Sequence, residues 1–151
     1  MPYGWQAKAE RVCLPTAHSR RESVFGFLSH HNQLTTYSTE HKIDSAFVIE
    51  SIDKFLINQG DKVTLLVLDN ASIHVSKLFK DASLRWEEKG LLVWYLPTYS
   101  PHLNRIERLW LRMKYNWLKA ADYTNMKTLK EALKRIFDHF GAHYTINTKM
   151  N

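Results

Sequence analysis

Two short apolar runs constrain this chain more than anything else in it. Val63-Thr64-Leu65-Leu66-Val67-Leu68 and Leu91-Leu92-Val93-Trp94-Tyr95-Leu96 are each rich in strand formers and each too short to be a buried helix. Continuous apolar runs of this length predict strands buried on both faces. Between them Val75, Leu78, Phe79, Ala82 and Trp86 recur at helical spacing, and Gly90 closes the stripe. A strand, a helix and a second strand in this order predict a right-handed crossover with parallel strands. Ligands in such sheets sit outside the carboxyl ends of the strands, so the residues just after Leu68 and Leu96 are the first place to look for chemistry.

The remaining chain supplies the rest of an α/β domain. Val24–Leu28 and Leu34–Tyr37 flank the turn-like His30-His31-Asn32-Gln33, which predicts a hairpin. Tyr3-Gly4-Trp5 reads as a further strand near the start. Residues 44–59 carry Val48, Ile52, Phe55 and Leu56 on one helical face, with Gly60 as the stop. Ile106, Leu109, Trp110, Met113 and Trp117 form another stripe, and a last helix beginning near Asn125 shows Leu129, Leu133, Ile136, Phe137 and Phe140. The polar stretch 143–151 is expected to be a flexible tail. The chain of 151 residues is expected to form one domain, 1–151, with neither internal repeat nor linker.

Charge and cysteine content narrow the function classes. A net charge of +6 permits a polyanionic partner, since clustered Lys and Arg release counterions from phosphates. The lone Cys13 excludes an intramolecular disulfide and a cysteine-based zinc site, and fits a reducing interior. No apolar run approaches the roughly 20 residues that span a bilayer, and the first residues lack a signal-peptide pattern. A membrane partner is therefore not expected, and the cytoplasm is the expected compartment.

Two carboxylates stand at the ends of elements. Asp69 follows the first apolar run, and Glu107, 38 positions on, opens the helix after the second. With Ile106 on the buried stripe, Glu107 is turned about 100° away, to the border of the buried face. Two such acids in a basic protein suggest a Mg²⁺ or Mn²⁺ site working on phosphates, because these hard cations take oxygen ligands and share substrate oxygens. Arg105, Arg108, Arg112, Lys114 and Lys119 surround Glu107 with positive charge suited to phosphates. Each residue has a plainer explanation as well. An Asp-Asn pair after a strand makes turns and caps. A Glu in a first helical turn answers the helix dipole. His74 suits a helix start as well as a metal or substrate contact, and the Trp and Met stripe suits a core better than a base-stacking platform.

The sequence Asp69-Asn70-Ala71-Ser72-Ile73-His74, followed by Leu96-Pro97-Thr98-Tyr99-Ser100-Pro101-His102-Leu103-Asn104-Arg105-Ile106-Glu107 with Trp110 three positions on, resembles the DDE transposases. More narrowly, it is similar to the bacterial insertion-sequence branch related to the mariner superfamily. The resemblance implies an RNase H-like fold, a mixed sheet with flanking helices, and Mg²⁺- or Mn²⁺-dependent DNA cleavage and strand transfer. Water attacks first to cut, and a freed 3′-hydroxyl then attacks target DNA. Carried over by position, Asp69 matches the second catalytic acid and Glu107 the third, both as metal ligands. Asn70, His74 and Asn104 match motif positions of supporting role. Arg105 stands where the family usually has proline, a residue that would pre-set the first helical turn.

A second departure concerns the first catalytic Asp, carried in the family on a strand before the Tyr-Gly-Trp region. Asp44, Asp53 and Asp61 fall in the wrong elements to replace it. The resemblance therefore implies an N-terminally incomplete catalytic domain without its first strand, with weak or no activity alone. The expected partners are DNA (transposon ends and target) and a second copy or an upstream transposase fragment, in a bacterial cytoplasm at the nucleoid. Removing a central strand leaves the Val63–Leu68 backbone in need of a partner, by re-pairing or by association. The rival reading is a non-enzymatic DNA-binding or assembly module of the same descent, and a further one is an RNase H-like nuclease acting on RNA.

Overall fold

The computed structural model describes residues 20–146; the expected Tyr3-Gly4-Trp5 strand and Cys13 lie outside the described residues. The predicted hairpin forms as β1 (Ser23–Leu28) and β2 (Leu34–Thr39), antiparallel, with Phe25 opposite Tyr37. Asn32 takes the left-handed conformation in its turn (φ 58°), which asparagine tolerates. α1 (Ser45–Ile57) starts at Asp44, whose carboxylate accepts from the Phe47 amide at 2.8 Å. Its stripe buries Val48 and Ile52 completely.

β3 (Thr64–Leu68), α2 (Lys77–Glu87) and β4 (Leu91–Tyr95) make the predicted strand–helix–strand unit, and the two strands are parallel with Thr64 opposite Leu91 and Leu68 opposite Tyr95. The Thr64 amide bonds the Gly90 carbonyl at 2.9 Å and the Leu96 amide bonds the Leu68 carbonyl at 2.8 Å, so the ladder is fixed at both ends. Ser76 caps α2 by accepting from the Phe79 amide. Phe79, Ala82 and Trp86 point into the core, and the Trp86 indole donates to Asp53 of α1 at 2.7 Å. Asp53 is thus a structural acceptor between two helices.

Burial of the strands on both faces does not hold. Leu66, Leu68 and Leu91 are buried, but Leu65, Val67, Leu92 and Trp94 are 44–64% exposed. These four occupy one face, with Leu65 opposite Leu92 and Val67 opposite Trp94. The reason is that α1 and α2 cover one side of the strands and no described helix covers the other. On α2 the phase shifts too: Val75 lies before the helix, and Leu78 is exposed.

After β4 the Pro97–Pro101 turn leads through a single 3-10 turn (Pro101–Leu103) into α3 (Arg105–Arg112), which runs on as a π-helical turn over Met113–Trp117. A short 3-10 turn (Ala120–Tyr123) precedes α4 (Met126–Asp138), capped by Asn125 as the sequence predicts. Met113, Leu133 and Ile136 form a second core with Val24, Trp110 and Trp117 around it. The hairpin joins the two cores by alternation: Phe25 and Phe27 face the first and Val24 the second. Of residues 143–146, expected to fray, Tyr144 and Ile146 are packed while His143 and Thr145 are exposed. Tyr144 bridges to Phe140 and lies against Trp117 with centroids 5.1 Å apart, and Ile146 is buried. The rest of the expected tail lies outside the described residues.

The architecture is mixed α/β, built on two two-stranded sheets. Among the described residues β1 pairs with β2 alone and β3 with β4 alone, so no re-pairing links the hairpin to β3. Between them opens a cleft of about 710 Å³, lined by Phe25–Ser29 of the hairpin and Thr64–Asp69 of β3 and closed at one end by the start of α3.

Candidate active site

At the carboxyl end of β3 the chain turns on Asp69. One carboxylate oxygen, Oδ1, accepts from the Ala71 amide at 3.2 Å and from His74 Nδ1 at 2.9 Å. The next residue, Asn70, donates its side-chain amide to the Leu96 carbonyl at 2.6 Å, tying together the ends of β3 and β4. The turn carrying both is anchored from below. Ser45 and Ser76, at the starts of α1 and α2, both donate to the Ile73 carbonyl, and the Tyr95 hydroxyl donates to the His74 carbonyl at 2.7 Å. Burial pushes the Tyr95 hydroxyl above its usual range, which keeps it protonated and donating.

Glu107 arrives from the other side. It is the third residue of α3, its amide bonded to the Asn104 carbonyl, and its side chain is exposed with no hydrogen bond or ion pair among the described residues. Asn104 precedes the helix but makes no side-chain cap bond. The helix is held against the hairpin at two points. Arg105 donates through Nη2 to the Asn32 side chain at 2.9 Å. Trp110 lies so close to Gly26 that a Cβ there would meet its ring at 3.1 Å, tighter than most side-chain contacts. The Pro97–Ser100 loop completes the wall, with Tyr99 in the left-handed conformation (φ 58°) and fully exposed.

Asp69 and Glu107 therefore line one pocket of about 360 Å³, together with Asn70 and Asn104, and both also border the larger cleft. Of the basic residues singled out in the sequence, Arg105, Arg108 and Arg112 recur at i, i+3 and i+7 on α3. Arg105 is half-buried and engaged with Asn32, and Arg108 is half-buried and also engaged. Arg112 and Lys114 are exposed, Lys114 with its ammonium 5.5 Å from the Tyr115 ring centre.

The donor set is one of oxygens: two carboxylates flanked by two carboxamides. It fits a single hard divalent cation, which takes one or two carboxylates and fills its shell from water and phosphate. A group of three or more His, Cys, Asp or Glu side chains poised for a metal is not found among the described residues. Sequence reasoning missed three contributors. The Tyr95 hydroxyl was hidden in a strand assigned by apolarity alone. Gly26 was the one signal for a close approach, a glycine inside an aromatic strand. The Arg105–Asn32 bond spans 73 positions and has no sequence signature.

A family model described as DDE superfamily endonuclease matches residues 1–130. The chain belongs to this family. Membership implies DNA as the substrate class and a divalent metal as the cofactor class. No match was found among curated proteins or among solved structures. No helix among the described residues is long and apolar enough to cross a membrane.

Proposed function

We propose that this DDE endonuclease domain is the RNase H-like catalytic core of a transposase of the bacterial insertion-sequence branch related to mariner. The observation that carries the reading is that Asp69 and Glu107, from two separate elements, line one pocket at the carboxyl end of β3. Both are read as metal ligands and catalytic acids. Bound Mg²⁺ or Mn²⁺ would neutralise developing charge on a phosphate and favour deprotonation of the attacking hydroxyl. The protein's own part is orientation. Asn70 fixes the two strand ends, Asn104 borders the acids at the helix start, and Arg112 and Lys114 meet the DNA backbone. Arg105 and Arg108 contribute charge to the same face. The working compartment is the bacterial cytoplasm, at the nucleoid.

Two acids alone line the pocket and cleft among the described residues, so weak or no cleavage is expected from the 151-residue chain by itself. The test is Mn²⁺ titration of the chain beside its Asp69→Asn and Glu107→Gln forms, with plasmid nicking followed in parallel. Binding that falls at least tenfold in either variant supports the reading, on the scale of losing a ligand's contribution. Equal binding by all three forms refutes it. Nicking by the wild type at physiological Mg²⁺, abolished by Glu107→Gln, would keep the site and overturn the expected inactivity.

The want of a third acid in that pocket among the described residues favours a second reading, a DNA-binding or assembly module that does not cut. Binding through the α3 basic face would then persist in EDTA and fall steeply with salt. Association is part of either reading. Among the described residues the facing edges of β1 and β3 lack a strand partner, which suits an extended segment of a separate transposase fragment whose backbone would pair with both. Mixing the chain with such a fragment should protect the Leu65 and Val67 amides from exchange, and unchanged exchange would rule it out.

A further inference from the structure

The Asp69 corner contains a cost that turn-making does not explain. An Asp followed by a turn needs one amide to hold its carboxylate, and Ala71 supplies it. His74 is added to this, with 91% of its side chain out of water. Its Nδ1 faces two oxygens of Asp69, the carboxylate Oδ1 at 2.9 Å and the backbone carbonyl at 3.3 Å, so that nitrogen carries the hydrogen. The other ring nitrogen, Nε2, is buried and without a hydrogen-bond partner among the described residues. The ring has Phe25 of β1 and Phe79 of α2 as neighbours, with centroids 6.4 and 5.8 Å away. A buried polar atom left unpaired destabilises a fold and calls for another explanation.

We infer that His74 is a positioning residue for Asp69: it locks Oδ1 with a second donor and so presents Oδ2 as the single oxygen offered to a cation. The inference rests on the metal-binding reading above. The logic is that of an outer partner fixing a ligand's orientation. Asp69 is 44% exposed, and a half-wet carboxylate held by one amide would still rotate. Two donors on the same oxygen remove that freedom. The imidazole itself is immobilised by its aromatic neighbours and by the bond from Tyr95 to its own carbonyl. The three parts of the corner (acid, imidazole and phenol) lie just after β3, in the turn before α2 and in β4, so the device spans the parallel pair.

This assigns opposite signs to two measurements on His74→Leu. The substitution removes the donor but also removes the orphaned nitrogen, so the melting temperature should stay level or rise. Mn²⁺ binding should weaken by roughly tenfold or more, the range for losing an outer partner of a ligand. His74→Asn puts a side-chain N–H near the position of Nδ1 and should recover most of that binding. A purely structural histidine would give the reverse, a lower melting temperature with Mn²⁺ affinity within twofold, and would overturn the inference. Long-range ¹⁵N–¹H imidazole spectra of the metal-free chain supply an independent arm. Hydrogen on Nδ1 is expected, and hydrogen on Nε2 refutes the proposal, whatever the metal does. A wild-type chain that takes up no Mn²⁺ refutes the metal-binding reading and this inference with it. Wild-type uptake that His74→Leu and His74→Asn both leave unchanged refutes this inference alone.

Discussion

The two acids of the pocket are supported in unlike ways. Asp69 sits on a strand end with its Oδ1 held twice, above a turn tied to α1, α2 and β4 and floored by the fully buried Phe79. Glu107 stands in the first turn of an eight-residue helix, exposed and without a bond of its own, and its position depends on how α3 leans on the hairpin. One acid is fixed by local chemistry and the other by the docking of an element. A substitution in the floor beneath that corner, at Phe79 or Tyr95, should therefore register as lost folding stability. One near Glu107 should register first as a moved helix, and one at Glu107 itself hardly at all.

The largest effect is expected from Phe79→Ala. Phe79 is completely buried, 5.8 Å from the His74 ring and 5.2 Å from Trp86 by ring centres. Truncating it should cost about 3–5 kcal/mol of unfolding free energy in a urea titration. A cost under about 1 kcal/mol would mean the site can collapse around the hole, and the claim that Asp69 stands on the core would fail.

Gly26→Ala comes next and probes the other corner. The new methyl would lie 3.1 Å from the Trp110 ring and 3.2 Å from the Thr35 carbonyl, so the ring or the strand would have to give by a few tenths of an ångström. A loss of about 1–3 kcal/mol is expected from overpacking. Amide shifts should concentrate in α3 and leave residues 69–74 unchanged. Shifts of equal size at Asp69 would show that the two corners are mechanically one.

How far the sequence disclosed all this follows from the same contrast. Asp69, Asn70 and His74 lie within six positions, and the strand–turn–helix around them reads directly from apolar runs and caps. That Glu107 would come to the same pocket was inferable from the crossover rule, because β3 and β4 are parallel and both loops leave at the same end. The bare outer face of Leu65, Val67, Leu92 and Trp94 was not readable, since an apolar run has the same composition whether one face or two are covered. The π-helical end of α3 was hidden as well. Met113 and Trp117 fit an α-helical stripe, and the wider turn shows itself only where the Leu118 amide reaches back to the Met113 carbonyl. Arg105 read as a phosphate contact because nothing local announces a bond to a side chain in the hairpin turn.

Tyr95→Phe removes one hydrogen bond from beneath the better-supported acid and should cost about 1 kcal/mol at neutral pH. It also carries a pH signature. Burial raises the Tyr95 hydroxyl above its unfolded value near 10. The protonated form is therefore favoured in the folded state. Its contribution is fully present below about pH 10 and is lost as pH climbs through the higher folded value. Wild-type stability should thus fall more steeply on the alkaline side than that of Tyr95→Phe. Parallel alkaline limbs would separate this phenol from the support of Asp69.

The smallest effect on stability belongs to Glu107→Gln. A carboxylate in the first turn of a helix is worth about 0.3–1 kcal/mol through the dipole, toward the lower end when exposed. Glu107 is exposed and makes no other bond, so the change should lie within about 0.5 kcal/mol and the spectrum should be undisturbed outside α3. Against that near-silence, the expected loss of Mn²⁺ binding would stand out, since stability and ligand binding would be separated in a single side chain. The corresponding Asp69→Asn substitution cannot give so clean a separation, because it disturbs bonds to Ala71 and His74 as well as the cation site. Should Glu107→Gln instead cost more than about 2 kcal/mol, well beyond a dipole partner's worth, Glu107 would have to be holding the fold. The distinction between an acid set by its bonds and an acid set by its helix would then dissolve.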